Sequence, residues 1–290
     1  MTRLWTAGFG SLLTLVGLGA LGWVASERAL RPGQRIEEYA PEDLGLPVEH
    51  VRFPSADGTP LAGWFAAGGP KAIILLHGYA RSKAELLPHA AFLYRAGYSV
   101  LLLDFRGRGE SDGRLVTLGL REPLDVLGAV EFLEDQKGIK DIALLGVSLG
   151  AAVGIMAAIH REAIAAVVAE APFAGLLEVA KRHFHRYVGL PAFPFAPITA
   201  HIVRWRLGTR AQDIAPLEAI ERLSPRPVLL IHGLADTEID PAASRSLFAL
   251  AGEPKELWLV PGAPHARVYQ WIPQEYEERV LAFLGRYLPP

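Results

Sequence analysis

No cysteine occurs in the 290 residues. Disulfides, a thiolate nucleophile and cysteine-ligated metals are therefore excluded, while the compartment stays open. An excess of charge of one sign is missing too. Lys and Arg total 29 against 31 Asp and Glu, a net charge of -2. The chain has neither the basic field that nucleic-acid binding requires nor a strongly acidic one. Internal repeats and low-complexity tracts are also lacking, which sets aside solenoids and compositionally biased segments. What is present is apolar: 51% of the residues are hydrophobic, enough for one substantial core with some length left for an appendage.

The first residues differ from the rest. The 23 residues from Leu4 to Ser26 carry no charge, where about 20 suffice to cross the hydrocarbon of a bilayer. Trp5 and Trp23 stand near its ends, as interfacial anchors do. Residues 1–28 are therefore expected to form an N-terminal membrane anchor, a single-pass transmembrane helix. A cleaved signal peptide is the alternative. Against it, only Arg3 and the terminus precede the run, the run exceeds the usual apolar region of about 7–15 residues, and no A-x-A site follows. The side of the membrane stays open. Arg28, Arg31 and Arg35 after the span argue for a cytoplasmic domain, and the signal-like position argues for export. Residues 29–48, mixed, charged and proline-containing, read as a linker to a domain over 49–290.

From there strand and helix patterns alternate. Glu49–Pro54 and Leu61–Ala66 read as an antiparallel pair turning at Asp57-Gly58. Ala72–Leu76, Tyr98–Leu103, Asp141–Val147, Ile164–Ala169, Val228–Ile231 and Glu256–Val260 are short apolar runs, as expected of strands buried on both faces. Helical patterns cover Ala84–Arg95, Leu120–Gln136, Leu149–His160, Pro241–Leu250 and Pro273–Tyr287. The fold class is thus α/β: a mostly parallel central sheet with helices on both faces. Residues 172–224 break the alternation with Pro191, Pro194 and Pro197, several aromatics, and helical pieces around Leu176–Tyr187 and Pro197–Leu207. Inserted between two core strands, they read as a short helical cap above the carboxyl edge of the sheet, where ligands bind in open α/β sheets.

One stretch carries chemistry. In LLGVSLGAAVG, Leu144 to Gly154, glycines flank a serine at alternate positions between a strand and a helix. Strand, G-x-S-x-G, helix is the setting of a nucleophile elbow. Ser148 must take a strained backbone conformation there, and side chains at 146 and 150 would collide across the bend. Its oxygen then stands at a helix N-terminus, which favours developing negative charge. A serine hydroxyl needs a base, and the base needs an orienting carboxylate. In this architecture the order is Ser, acid, His. Asp236 follows strand Val228–Ile231, and His265 follows strand Glu256–Val260. Glu238 and Asp240 are rival acids, but Asp240 before Pro241 reads better as a helix cap. No other histidine lies downstream of Asp236. The oxyanion donors are expected to be the backbone N–H groups of Leu149 and Tyr79, with Gly78 letting the loop approach. His77 reads as a structural residue bonded to loop backbone.

These residues resemble the α/β-hydrolase superfamily over nearly all of 50–288, through LLHGY (75–79), DFRGRGESDG (104–113), GVSLG (146–150), HGLAD (232–236) and GAPH (262–265). More narrowly the chain is similar to serine-aminopeptidase-like hydrolases, which are often membrane-anchored and carry a short cap. The resemblance implies an acyl hydrolase with Ser148, Asp236 and His265 as triad, and bracing roles for Asp104 and Arg106. It leaves the substrate open.

His183, His185 and His201 have no acidic partner at ligand spacing, and the first two point to different sides of a helix, so a metal site is not expected. No cofactor is called for. The expected partner is a small-molecule or lipid ester, beside the membrane itself. Phe173, Phe184, Phe193, Phe195 and Trp205 suit either an acyl pocket or the cap's own core, and Trp271 follows His265 closely. The competing reading is a peptidase, which needs an anionic pocket for the substrate amine. Glu170, Glu178 and Glu238 are its candidates.

Overall fold

The computed structural model describes residues 2–33, 40–175, 189, 191–209 and 213–290; of residues 2–15 and 192 it describes only the backbone. Eight strands form one sheet: β1 (Glu49–Pro54), β2 (Pro60–Ala66), β3 (Ala72–Leu76), β4 (Ser99–Leu103), β5 (Ile142–Val147), β6 (Ile164–Glu170), β7 (Val228–Gly233) and β8 (Lys255–Val260). Their spatial order is β1-β2-β4-β3-β5-β6-β7-β8. β1 and β2 pair antiparallel, and so do β2 and β4; every other pairing is parallel.

The apolar runs explain the layering. Successive side chains of a strand point to opposite faces. Ile74, Leu76, Leu101, Leu103 and Leu144 enter one core, while Ile73, Leu75, Val100, Leu102 and Leu145 enter the other. The first core is covered by α3 (Glu122–Lys137), α4 (Leu149–Ala158) and neighbouring short helices. The second is covered by α2 (Leu87–Arg95) and the C-terminal helix Pro273–Tyr287, through Phe92, Tyr276 and Phe283. Burying one such side chain is worth about 1.5–3 kcal/mol, so polar residues on these strands would be costly on either face. Pro88 and Pro123 each fall in the first turn of their helix, where a proline costs no hydrogen bond.

The loop DFRGRGESDG braces the structure, as its resemblance implied. Asp104 accepts hydrogen bonds from the backbone of Lys83 and Glu110 and from Lys83 Nζ. Arg106 is forked between Asp125 and Asp57, with Ser55 as a further acceptor.

The expected transmembrane helix is not found. Among the described residues no helix is long and apolar enough to cross a membrane. Helix α1 (Thr2–Leu30) does run through the uncharged stretch, but its C-terminal turns pack on the protein. Gly22, Ala25, Ser26 and Leu30 are buried, a helical face. That face meets α5 (Ala192–Leu207), which is interrupted at Phe193. A Cβ on Gly22 would lie 2.5 Å from Ile198, so a glycine is what lets the two helices approach. Arg206 of α5 pairs with Glu27 at 2.8 Å and donates to Ser26 Oγ. The helical piece expected at Leu176–Tyr187, with Glu178, His183, Phe184 and His185, lies outside the described residues.

Candidate active site

Strand β5 delivers Ser148 to the carboxyl edge of the sheet, and α4 begins at Leu149. Ser148 has φ 54° and ψ -112°, a conformation that costs on the order of 1–3 kcal/mol for a side chain with a Cβ. The surroundings hold it there: its N–H donates to Glu170 O at 2.8 Å. The flanking glycines are forced by contact. A Cβ on Gly146 would come 2.4 Å from the backbone of Gly150, and one on Gly150 would come 2.0 Å from Leu76 O. The second clash is with the neighbouring strand β3, a constraint that the motif alone does not reveal.

The three residues read from the sequence come together. Ser148 Oγ lies 3.0 Å from His265 Nε2, and His265 Nδ1 lies 2.6 Å from Asp236 Oδ2. The second oxygen, Asp236 Oδ1, accepts the N–H groups of Glu238 and Ile239 at 2.7 and 2.8 Å. Burial raises the carboxyl pKa of Asp236, but hydrogen bonds from His232 and His265 outweigh it, and the net position is well below the usual range. For His265, burial disfavours the charged ring. The hydrogen bond and charge of Asp236 overcome this and set its pKa above the ordinary 6.5, with Glu238 and Glu170 adding in the same direction. The pair is thus arranged to accept a proton at the imidazole while the carboxylate stays ionised.

The rival acids take other roles. Asp240 accepts the N–H of Ala242 at 3.0 Å, at the start of the helix Ala242–Leu250, as a cap. Glu238 approaches from the other side, with Oε2 4.0 Å from His265 Nε2. Glu170 is buried beneath the site, where it accepts the N–H of Val268 at 2.9 Å. Burial pushes its carboxyl upward, and it is closed to substrate.

The loop His77-Gly78-Tyr79 lies against Ser148: a Cβ on Gly78 would lie 3.7 Å from Ser148 Cβ. Glu85 accepts the N–H of Gly78 at 2.6 Å, and His77 has the structural role expected. Its Nδ1–H donates to Gly78 O, and its Nε2 accepts from Phe105 N. Burial keeps this ring neutral, with a pKa of about 4. The hydroxyl of Tyr79 donates to Ala29 O of α1 at 2.8 Å. Trp271 is half-exposed and lies against Gly262, where a Cβ would come 3.1 Å from its ring. Phe193 and Trp205, on α5, are exposed, while Phe173 belongs to the main core.

His232, one turn before Asp236 in HGLAD, escaped the sequence reading as a contributor to the site. Its signal was its spacing: four residues before the acid. Among the described residues no group of three or more His, Asp or Glu is arranged to hold a metal.

The model of a protein family described as "Hydrolase_4: Serine aminopeptidase, S33" matches residues 69–215, half of the chain. A Mycobacterium tuberculosis protein, MT2364, is 34% identical over 271 residues, covering 88% of this chain and 86% of that relative. The Bacillus subtilis protein YqkD is 28% identical over 237 residues, covering 80% of this chain and 77% of YqkD. Among solved structures, the Pyrococcus furiosus esterase Pf2001 superposes with a TM-score of 0.75 at 29% identity, covering 89% of this chain and 99% of that one.

Proposed function

Since the chain belongs to the α/β-hydrolase family described as serine aminopeptidase S33, we propose that this serine hydrolase cleaves carboxylic esters through an acyl-enzyme on Ser148. His265 Nε2 takes the hydroxyl proton as Ser148 Oγ attacks the ester carbonyl. Asp236 fixes the imidazole tautomer and stabilises its charged form. The N–H groups of Leu149 and Tyr79 receive the oxyanion, and His265 returns the proton to the leaving alcohol. Water, activated by the same histidine, releases the acid.

The observation that carries this reading is the unbroken chain Ser148 Oγ, His265, Asp236 at 3.0 and 2.6 Å. The likeness to an esterase, Pf2001, supports an ester rather than another acyl substrate. Hydrolysis of p-nitrophenyl esters across acyl lengths tests it: turnover is expected, and Ser148→Ala is expected to abolish it. No Ser148-dependent turnover with any ester would sink the reading. One feature favours a second reading, amide hydrolysis at a free amino terminus: the Glu238 carboxylate at 4.0 Å from His265 Nε2 is an anionic group beside the nucleophile. Faster turnover of aminoacyl amides than of esters would select it.

We further propose that α1 rests against a lipid surface and that the esters are apolar. The exposed positions of α1 include Val16, Leu21, Trp23 and Val24, with Arg206 over the Trp23 ring at 4.7 Å and Arg28 exposed in the last turn, an apolar face with basic groups beside it, as suits a helix lying on a lipid surface. Co-flotation of the full chain with lipid vesicles, and its loss on deleting residues 1–28, is the expected result; a full chain that stays behind overturns it.

A further inference from the structure

The triad leaves one buried histidine at its rim without a task. His232 stands near the end of β7 and is fully enclosed. Its Nε2 faces two acceptors, Ile239 O at 3.1 Å and Asp236 Oδ2 at 3.2 Å. Two acceptors on one side require the proton to sit on Nε2. In the neutral ring Nδ1 is then an acceptor, and it receives the hydroxyl of Ser244, 2.7 Å away and also buried. Every polar atom of His232 is satisfied in that single tautomer.

The consequence falls on Asp236. Its Oδ2 is bonded to His265 Nδ1 at 2.6 Å and has His232 Nε2 3.2 Å away, while Oδ1 takes two backbone N–H groups. The backbone pair fixes one oxygen. Among the described residues, His232 Nε2 is the one polar group besides His265 recorded within 4 Å of the other oxygen. Removing it takes away one support of the carboxylate and concentrates its negative charge on the remaining imidazole N–H.

Resting on the proposed triad, we infer that His232 is a positioning residue for Asp236, with Ser244 holding its tautomer, so that the relay runs Ser244, His232, Asp236, His265, Ser148. Two effects follow that a mere packing role would not produce. The chemical step slows with little change in substrate binding. The acid limb of the pH–rate profile, set by His265, moves to higher pH, because an unshared carboxylate holds the imidazolium more tightly. Glu170 and Glu238, the other acids that act on His265, are unchanged in these variants.

The experiment compares His232→Leu, His232→Gln, Ser244→Ala and Ser148→Ala in the full chain, with ester turnover from pH 5 to 9 (roughly the range in which an imidazole titrates) and thermal melting as the check of folding. His232→Leu is expected to lose about tenfold or more in kcat, as loss of an orienting partner does elsewhere, with KM held and the acid limb shifted upward. His232→Gln offers an amide donor near the Nε2 position and is expected to recover much of both. Ser244→Ala is expected to move the limb in the same direction by less. A folded His232→Leu with wild-type kcat, or with its acid limb unmoved, overturns the inference. If His232→Leu does not fold, an unmoved limb in Ser244→Ala overturns it. Ser148→Ala separates the two levels: if it keeps activity, the triad reading fails; if it is dead while the His232 variants match wild type, only this inference fails.

Discussion

Two regions meet above the carboxyl edge of the sheet, and they are held by different means. The proposed triad stands on loops that leave β5, β7 and β8 directly, and backbone fixes it: Glu170 O receives Ser148 N–H, and two N–H groups clamp Asp236. The contact of the end of α1 and the residues just after it with the loops after β3 and β4 depends on single groups far apart in the chain. Tyr79 O–H reaches Ala29 O, Val116 N–H reaches Leu30 O, and Arg108 reaches Pro32 O. Adjacent strand ends in a packed sheet have almost no freedom, whereas a helix end docked by a few hydrogen bonds can shift at a cost of about 0.5–1.5 kcal/mol per bond. The chemistry should therefore be steep in the first region and shallow in the second.

The largest expected break is Asp236→Asn. The new Oδ1 keeps its two backbone donors, so the loop holds its shape. The amide NH2 then faces His265 Nδ1 and His232 Nε2, both of which present N–H in the working state. The imidazole is driven to the wrong tautomer, and Nε2 can no longer accept the serine proton. The loss in kcat should be about 10⁴-fold, the size seen when other triads are altered this way, at nearly unchanged melting temperature. An effect below tenfold would mean that Glu238, 4.0 Å from the other ring nitrogen, shares the task.

A smaller effect sharpens the same region. His265 works as a base only when neutral, and Asp236 raises its pKa above 6.5. As pH falls through that raised value the ring is protonated and kcat/KM should drop about tenfold per pH unit. Asp236, held low, stays ionised throughout and adds no second limb near neutrality. A profile flat down to pH 5 would contradict the assignment of His265.

The same contrast governs what could be read from the chain. The strands were legible because burial on both faces leaves continuous apolar runs: Ala72–Leu76 coincides with β3, and Glu49–Pro54 with β1. Ser148, Asp236 and His265 were legible because each is bound to a strand end by local geometry. Other features needed the third dimension. Gly150 is constrained by Leu76 O on the next strand, and the spacing of His232 to Asp236 gains meaning only once their 3.2 Å approach is seen. The N-terminal run was ambiguous for a physical reason. An uncharged helix looks alike whether its neighbour is lipid or a second helix, and Ile198, which meets Gly22, lies far along the chain.

The smallest expected effect probes the second region. Tyr79→Phe leaves the backbone N–H in place and removes only the hydroxyl that reaches Ala29 O. Burial pushes that phenol to about 12, so it is a protonated donor at any working pH. Loss of one neutral hydrogen bond is worth about 0.5–1.5 kcal/mol, and Ala29 lies at the last turn of α1, where its carbonyl has no helical partner to fall back on. The expected outcome is a fall in kcat of no more than about tenfold, the rate equivalent of that energy, from looser placement of the Tyr79 N–H. Deleting residues 1–30 should have a similar effect on the wild-type chain and add little to Tyr79→Phe, because both changes remove the contact of Tyr79 with Ala29 O. Full additivity of the two, measured as kcat on one ester, would show that α1 and Tyr79 act independently, and would erase the distinction between a rigid triad and a loop tuned from outside.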